Sequence, residues 1–303
     1  MKIIVNEKQY KNLVLESRGY SKFVDDWSNY ICDQILPLII KQPTGEDVYL
    51  FKRLSTTLRN KEFYENFPIE SIIFSVILKE RDDDEVEMDM SYNPFYTQIV
   101  ENEDGSINIH DVEFEIVLSL PKERDLILID EFRYYLSSSL THEFMHAYEW
   151  YKRNLKSPKE LKTCNTIFME GHMDGDIVSK IAFLIYVSLS YEMNAFIQQA
   201  NNMVKQNEPK GNKEFMDVLK TTPIYKFVKE MVDFDINDVK TKIDELTEDR
   251  ISELKKIIIC YYQKENKLPK VKSVDRFLID LKNKFNIRGN ALMRKLLKIV
   301  TNI

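Results

Sequence analysis

The chain has 303 residues, 44% of them hydrophobic, which is enough apolar material for one large domain or two smaller ones. Its 43 lysines and arginines and its 49 aspartates and glutamates give a net charge of −6, so a surface that coats nucleic acid is not expected. Only 7 glycines occur and no glycine-rich phosphate-binding motif is present, so neither a Rossmann cofactor site nor a Walker-type NTPase has support in the sequence.

The cysteines and the apolar runs bear on the cellular compartment. Cys32, Cys164 and Cys260 are odd in number and far apart, which predicts buried, reduced thiols in a reducing compartment. The N-terminus runs into charged residues after three apolar ones and lacks the apolar region of a secretory signal. The longest uncharged apolar run, residues 181–191, is shorter than the roughly 20 residues that span a bilayer. We therefore expect a cytoplasmic protein with no membrane partner.

The N-terminal part of the chain is expected to be helical before it turns to strands. Residues 1–68 are interpreted as a helical N-terminal segment, in which Asn6 can cap a first helix and a second helix runs over residues 21–40. Residues 72–78 form a short apolar run that predicts a buried strand. Residues 80–89 are rich in acids but lack the EF-hand spacing, which favours a solvated surface loop over a calcium site.

A β-hairpin is predicted around the turn dipeptide Asp104-Gly105. Strands are expected on either side of this turn, at residues 95–100 and 107–120. The second strand alternates apolar and polar positions, so one of its faces should pack against the core. The apolar positions are Val112, Phe114, Ile116, Leu118 and Leu120.

The rest of the chain is predicted to be mainly helical. After a further strand at residues 126–129, Asp130 can cap a long helix that ends near residue 154. A crossing loop leads to a second long helix over residues 177–205, the most apolar helix of the chain. A polar linker then opens a helical C-terminal lobe at residues 206–303.

The first long helix carries the motif His142-Glu143-x-x-His146. Positions i and i+4 of a helix lie one turn apart on the same face, so both imidazoles can reach one zinc ion. Glu143 projects to another side and can act as general base toward a zinc-bound water. An apolar stripe lies nearly opposite the two histidines, so one helix face should pack on the sheet while the other faces a cleft. The stripe consists of Phe132, Leu136, Leu140, Phe144, Ala147 or Tyr148, and Tyr151.

With a sheet predicted before it and a second helix after it, this motif resembles the active site of the zinc metallopeptidases of the zincin superfamily. The resemblance implies an α+β fold whose zincin-like core covers residues 69–205, with helical additions at both ends. That core would hold a small twisted sheet, the HExxH active-site helix and a second, ligand-bearing helix. Glu149 and Lys152 stand where the metzincin subgroup has glycine and histidine. The chain is therefore more similar to the gluzincin type, in which a downstream glutamate is the third zinc ligand.

Glu192 is the best candidate for that third ligand, because it lies in the most apolar helix and carboxylates are rarely buried unless they are paired or bind a metal. The Glu-x-x-Ala pattern at residues 192–195 also resembles the short pattern around the third ligand in gluzincin-like families. Rival ligands lie in the crossing loop, which offers Glu170, His172, Asp174 and Asp176. The oxyanion of the reaction can be stabilised by His172 or equally by Tyr191, and the sequence does not choose between them.

The resemblance implies a zinc-dependent peptidase. His142, His146 and Glu192 would hold Zn²⁺ and leave a fourth position open for a water, whose pKa the metal lowers to about 7. Glu143 would take the proton of that water and deliver it to the leaving amine. The substrate, a peptide or a protein, can lie extended beside an edge strand of the sheet.

The two ends of the chain suggest a second hypothesis. Residues 3–11 resemble short N-terminal segments of phage-encoded proteins, which suggests a virion-associated or assembly protein on a zincin fold. Such a protein would contact viral structural proteins and keep a structural or vestigial metal site. Residues 251–303 hold 13 lysines and arginines against 4 acids, so a basic face that binds nucleic acid stays open beside the interpretation as a helical lobe with solvated lysines.

Overall fold

The chain is a mixed α+β protein in which strands come first and helices follow. It forms two compact units, residues 1–152 and residues 153–303, and the predicted core of residues 69–205 spans the division between them. The computed structural model describes residues 33, 36–37, 48–55, 69–82, 87–93, 97–104, 107–121, 129–152, 164–173, 175–207, 209–264 and 273–301.

The first unit is built on a four-stranded sheet and a two-stranded sheet. The strands are β1 (Val48–Ser55), β2 (Ser71–Arg81), β3 (Glu87–Asn93), β4 (Gln98–Glu101), β5 (Ile107–His110) and β6 (Val112–Pro121). The larger sheet has the order β1-β2-β6-β3, and the smaller one pairs β4 with β5. In the larger sheet β2 and β6 are parallel, while each outer strand is antiparallel to its neighbour. Strand β3 therefore lies at one edge.

One face of the larger sheet is buried because β2 and β6 both alternate and pair in register. Phe74 lies opposite Phe114, and Val76 lies opposite Ile116, with all four side chains buried. The intervening side chains on the other face are half-buried or exposed. The predicted strand at residues 72–78 and the alternation predicted for residues 112–120 are both confirmed.

The strand predicted at residues 107–120 is divided at Asp111. The hairpin around the Asp104 turn is confirmed, since β4 pairs with β5, but Asp111 has a φ of 58° and separates β5 from β6. Ser71 Oγ donates to Asp111 Oδ1 at 2.8 Å and accepts from the Asp111 N–H at 2.9 Å. Aspartate tolerates this left-handed conformation better than most residues, and the two hydrogen bonds hold it there. The chain thereby passes from the hairpin into the centre of the larger sheet.

The helical segment predicted for residues 1–68 is wrong at β1, which pairs with β2 along all eight of its residues. The sequence of β1 includes Val48, Tyr49 and Phe51, residue types that are enriched in strands. Within the predicted second helix, Asp33, Leu36 and Pro37 are helical, and the first predicted helix lies outside the described residues.

Helix α1 (Ile129–Lys152) packs its apolar stripe on the buried face of the sheet. The rings of Phe114 and Phe144 lie 4.8 Å apart, centroid to centroid. The long helix and its stripe are confirmed, while the strand predicted at residues 126–129 is wrong at Ile129, which begins the helix, and otherwise falls outside the described residues. The fully buried stripe residues are Phe132, Leu136, Leu140, Phe144 and Ala147.

The second unit is helical throughout its described residues. Its helices are α2 (Cys164–Met169), α3 (Ile177–Val187), α4 (Ser190–Gln206), α5 (Asn212–Thr221), α6 (Pro223–Val232), α7 (Ile236–Asp244), α8 (Glu248–Lys264) and α9 (Val274–Thr301). Its longer helices bury apolar stripes, as α9 does with Phe277, Leu281 and Phe285. The predicted helical lobe at residues 206–303 is thus helical where it is described.

The single helix predicted over residues 177–205 is wrong, because α3 and α4 meet at a bend of 88°. The Ser188 hydroxyl donates to the Ile185 carbonyl at 2.6 Å, and Leu189 has an extended backbone, so the helix ends there and a new one begins. Among the described residues no single helix is long and apolar enough to cross a membrane, and α3 and α4 meet that criterion only as a bent pair.

The prediction of reduced thiols is wrong for two of the three cysteines. Cys164 in α2 and Cys260 in α8 form a disulfide, with their Cα atoms 5.2 Å apart. Because 96 positions separate the two cysteines, no spacing motif indicates the pair, and only the packing of α2 against α8 brings them together. Cys32 lies outside the described residues.

Candidate metal centre

The two motif histidines lie in the middle of α1, one helical turn apart. Phe144 packs its ring on the sheet. Because positions 142 and 146 lie nearly opposite position 144 around the helix, the two histidines face away from that contact. His142 is buried, with 7% of its surface exposed, and His146 is half-buried. Partial burial keeps both rings out of bulk water, which strengthens their interaction with a cation.

The imidazoles converge on one point. The Nε2 atoms of His142 and His146 lie 3.0 Å apart. Two zinc–nitrogen bonds of about 2.0–2.1 Å at a tetrahedral angle would separate their nitrogens by roughly 3.4 Å, so a shift of a few tenths of an ångström accommodates a metal ion. At this distance one Nε2 can donate a hydrogen bond to the other, or both can bind the same cation. The donor set and its spacing therefore fit a metal that prefers nitrogen ligands.

Glu143 completes a compact group with the two histidines. Its Oε1 lies 3.9 Å from His142 Nε2, and its Oε2 accepts a hydrogen bond of 2.8 Å from the main-chain N–H of Tyr92. One potential ligand atom from each of the three residues lies within 4.8 Å of the others, so this buried group could hold a metal ion. The carboxylate is thus fixed beside the point on which the imidazoles converge.

Tyr92, which was not among the predicted site residues, joins this group from strand β3. The acidic loop predicted at residues 80–89 is wrong at both ends, because β2 runs to Arg81 and β3 begins at Glu87. The signal was the alternation of Met88, Met90 and Tyr92 with polar residues, which is typical of a half-buried strand. The neighbouring run of acidic residues masks this alternation, because a cluster of charges is more typical of a loop than of the exposed face of a strand.

The Tyr92 side chain is held by aromatic packing. Its ring centroid lies 5.8 Å from that of Phe114 and 6.2 Å from that of Trp150 on α1. Burial raises the pKa of the Tyr92 phenol well above its usual range, so the side chain stays neutral at physiological pH. Tyr92 therefore ties β3 to both the sheet core and the motif helix.

Glu192, the predicted third ligand, lies in the second unit. It is in the first turn of α4, with 2% of its surface exposed, and it is flanked by the buried Met193 and Ala195. The positive end of the helix dipole favours a carboxylate at this position. Glu192 thus has the burial that the sequence predicted, and its part in the ligand set stays a prediction.

The crossing-loop candidates are distributed over several environments. Asp176 caps α3: its Oδ1 accepts from the N–H groups of Val178 at 3.1 Å and Ser179 at 3.0 Å, and its carboxylate pairs with Arg250. The Arg250 guanidinium holds the pKa of the Asp176 carboxyl below its usual range. Its caps and its ion pair thus give Asp176 a structural role.

The remaining alternatives differ in exposure. Glu170 and His172 are exposed, and the His172 carbonyl accepts from the Gly175 N–H at 3.3 Å in a turn. Asp174 and the Tyr191 side chain lie outside the described residues. His172 as the oxyanion donor therefore stays a prediction, now with an accessible imidazole.

Comparisons with known proteins assign no family to this arrangement. The chemistry of the centre is therefore defined by its own donors, two imidazoles and one carboxylate on a helix that packs on a sheet. No protein-family model, no curated protein and no solved structure matches this chain.

Proposed function

We propose that this protein is a zinc-dependent peptidase with a zincin-like core in which α1 is the active-site helix. The observation that carries the proposal is the approach of the His142 and His146 Nε2 atoms to 3.0 Å, with the Glu143 carboxylate beside them. Imidazole donors suit zinc and other transition metals, whereas calcium and magnesium prefer oxygen ligands. When bound, zinc supplies Lewis acidity toward a water and toward the scissile carbonyl.

The proposed ligands are His142, His146 and Glu192. Two histidines and one glutamate form a set known from catalytic zinc sites, which leave one position open for water or substrate. The support for Glu192 is its burial, since a carboxylate removed from water costs free energy unless it is hydrogen-bonded, paired or bound to a metal. The rival ligand Asp176 has less support, because its carboxylate is exposed and caps α3 beside Arg250.

Glu143 is the proposed general base. It accepts the proton of the attacking water and later donates that proton to the leaving amine. Its Oε1 lies on the side of His142, at 3.9 Å from Nε2, which puts it within reach of a water next to the two imidazoles. The exposed His172 is proposed as the hydrogen-bond donor to the oxyanion.

The proposed substrate is a peptide or protein segment in extended conformation. Strand β3 supports this proposal, because it is the last strand in the order β1-β2-β6-β3 and is joined to the metal centre through Tyr92. An extended segment could add to such an edge by main-chain hydrogen bonds, which select a backbone conformation more than a side chain.

The test is the metal content of untagged protein, measured by mass spectrometry for the wild type, His142→Ala and Glu192→Ala. We expect about one zinc per chain in the wild type and none in either variant, since each removes one of three ligands. Zinc that is retained in Glu192→Ala alone would move the third ligand to another residue. A wild type that binds no zinc after reconstitution would refute the peptidase and favour the assembly protein.

A further inference from the structure

The orientation of Glu143 is controlled from outside its own helix. The hydrogen bond from the Tyr92 N–H to Glu143 Oε2, 2.8 Å long, joins residues that are 51 positions apart. A hydrogen bond to a carboxylate is stronger than one between neutral groups, and it fixes one of the two oxygens. Oε1 is then the oxygen on the side of His142.

The sheet makes this donor available without the loss of a ladder hydrogen bond. Tyr92 lies opposite Phe114 in the antiparallel pair of β3 and β6. In such a pair the N–H and C=O of one residue point to the same side, either toward the partner strand or away from it. Because the Tyr92 N–H reaches Glu143, the main chain of Tyr92 faces away from β6, at the side of β3 where no other described strand pairs.

The donor is also held in place by its own side chain. The Tyr92 ring packs between Phe114 of the sheet core and Trp150 of α1, at 5.8 Å and 6.2 Å. Trp150 is buried and lies two helical turns beyond Glu143 on the same helix. The strand, the ring and the helix therefore fix the distance between the N–H and the carboxylate.

We infer that Tyr92 is a positioning residue for the general base, acting through its main-chain N–H. This inference rests on the proposed function and adds to it a residue outside the HExxH motif. The N–H holds Oε2 so that Oε1 keeps its orientation for proton transfer. A displacement of about 1 Å in a reacting group can cost on the order of 10²-fold in rate, so this hydrogen bond affects kcat more than KM.

The test compares two substitutions that both remove the ring. Tyr92→Ala keeps the N–H, whereas Tyr92→Pro removes it, and proline is tolerated where an edge strand's N–H points away from its partner. On a fluorogenic peptide that the wild type cleaves, we expect kcat of Tyr92→Pro to be roughly 10- to 100-fold below that of Tyr92→Ala. KM and zinc content should agree between the two variants. Equal kcat values in the two variants would overturn the inference.

A second measurement detects the hydrogen bond without catalysis. In zinc-free protein, amide exchange by NMR should be at least about tenfold faster at Tyr92 in Glu143→Ala than in the wild type. Glu143→Gln keeps an acceptor oxygen and should retain most of the protection. Unchanged exchange in Glu143→Ala would overturn the inference even if Tyr92→Pro fails to fold. A zinc-loaded wild type that cleaves no peptide would instead refute the proposed function, and the positioning role with it.

Discussion

The candidate ligand groups of the two compact units lie at different points of their helices. In the first unit, His142 and Glu143 lie in the middle of α1, and Glu143 is bonded to a distant strand. In the second unit, Asp176 caps α3 through two main-chain N–H groups, and the buried Glu192 lies in the first turn of α4, where the helix dipole favours a carboxylate. A helix cap serves stability, whereas a buried charge in mid-helix costs free energy. Stability therefore explains Asp176 but does not by itself explain the α1 group.

The largest effect is expected from Glu143→Gln, which should lower kcat for peptide hydrolysis by about 10²- to 10⁴-fold, because it removes the proton acceptor and keeps the shape. Zinc content should stay at the wild-type value. Loss of the metal in this variant would contradict the role of Glu143, since it would make the residue a ligand. We also expect the free energy of unfolding of Glu143→Gln to be equal to or higher than that of the wild type, because functional sites are often not optimised for stability. That result would support the contrast between the two units.

The next effect concerns the sheet core of the first unit. Phe114→Ala should reduce the free energy of unfolding by about 3–5 kcal/mol, because it removes a fully buried ring that contacts Phe74, Tyr92 and Phe144. Hydrogen exchange by mass spectrometry should show the lost protection in β2, β6 and α1. Val112→Ala on the buried face and Val117→Ala on the half-buried face of the same strand form a matched pair, in which Val112→Ala should cost more. Equal effects would contradict the assignment of the buried face.

A comparable effect is expected in the second unit from Cys164→Ser. The disulfide closes a loop of 96 residues, and removal of such a bridge typically costs about 2–5 kcal/mol. Protection against hydrogen exchange should fall in α2 and α8. Thiol counting should give one reactive thiol in the denatured, unreduced wild type, that of Cys32, and a count of three would contradict the bridge.

The smallest effect concerns the cap of α3. Asp176→Ala should cost about 1 kcal/mol, because it removes the acceptor for two N–H groups. Asp176→Asn keeps a capping oxygen and loses the charge that faces Arg250, so it should cost less than about 1 kcal/mol, as is usual for an exposed ion pair. Chemical denaturation at neutral pH and low salt would measure the free energy of unfolding of the wild type and both variants.

The pH dependence of this cap has a definite sign. The pKa of Asp176 is lower in the folded protein, chiefly because of Arg250, so the ion pair stabilises the fold above the unfolded-state pKa of about 3.9. The difference between the wild type and Asp176→Asn should be complete near neutral pH and disappear as the pH falls through the folded pKa. A difference that persists in strong acid would contradict the role of the charge.

Local sequence patterns predicted the centre well. The i, i+4 spacing of His142 and His146 and the apolar stripe ending at Phe144 are properties of one helix, so the sequence alone indicates which side chains share a face. The alternation in β6 is equally local. For the same reason the burial of Glu192 could be expected from its apolar neighbours in α4.

Long-range contacts could not be predicted from the sequence. Glu143 accepts a hydrogen bond from a main-chain N–H on a strand whose acidic start is typical of a loop, and the Cys164–Cys260 bridge depends on the packing of two helices. The break between α3 and α4 lies at Ser188, whose hydroxyl donates a hydrogen bond to the main chain. A pattern of apolar residues alone does not predict such a hydrogen bond. Strand β1 was missed because its pairing with β2, not its composition alone, decides its structure.

The order of the strands in the larger sheet has a consequence for co-translational folding. Strand β6 is the last strand of the larger sheet to be synthesised, yet it lies between β2 and β3. Until β6 has emerged, β3 has no neighbour in that sheet, and the motif helix follows directly behind β6 in the chain. The four-stranded sheet therefore cannot be complete before β6 has emerged, and a nascent chain stalled before residue 112 would hold neither that sheet nor the candidate metal centre.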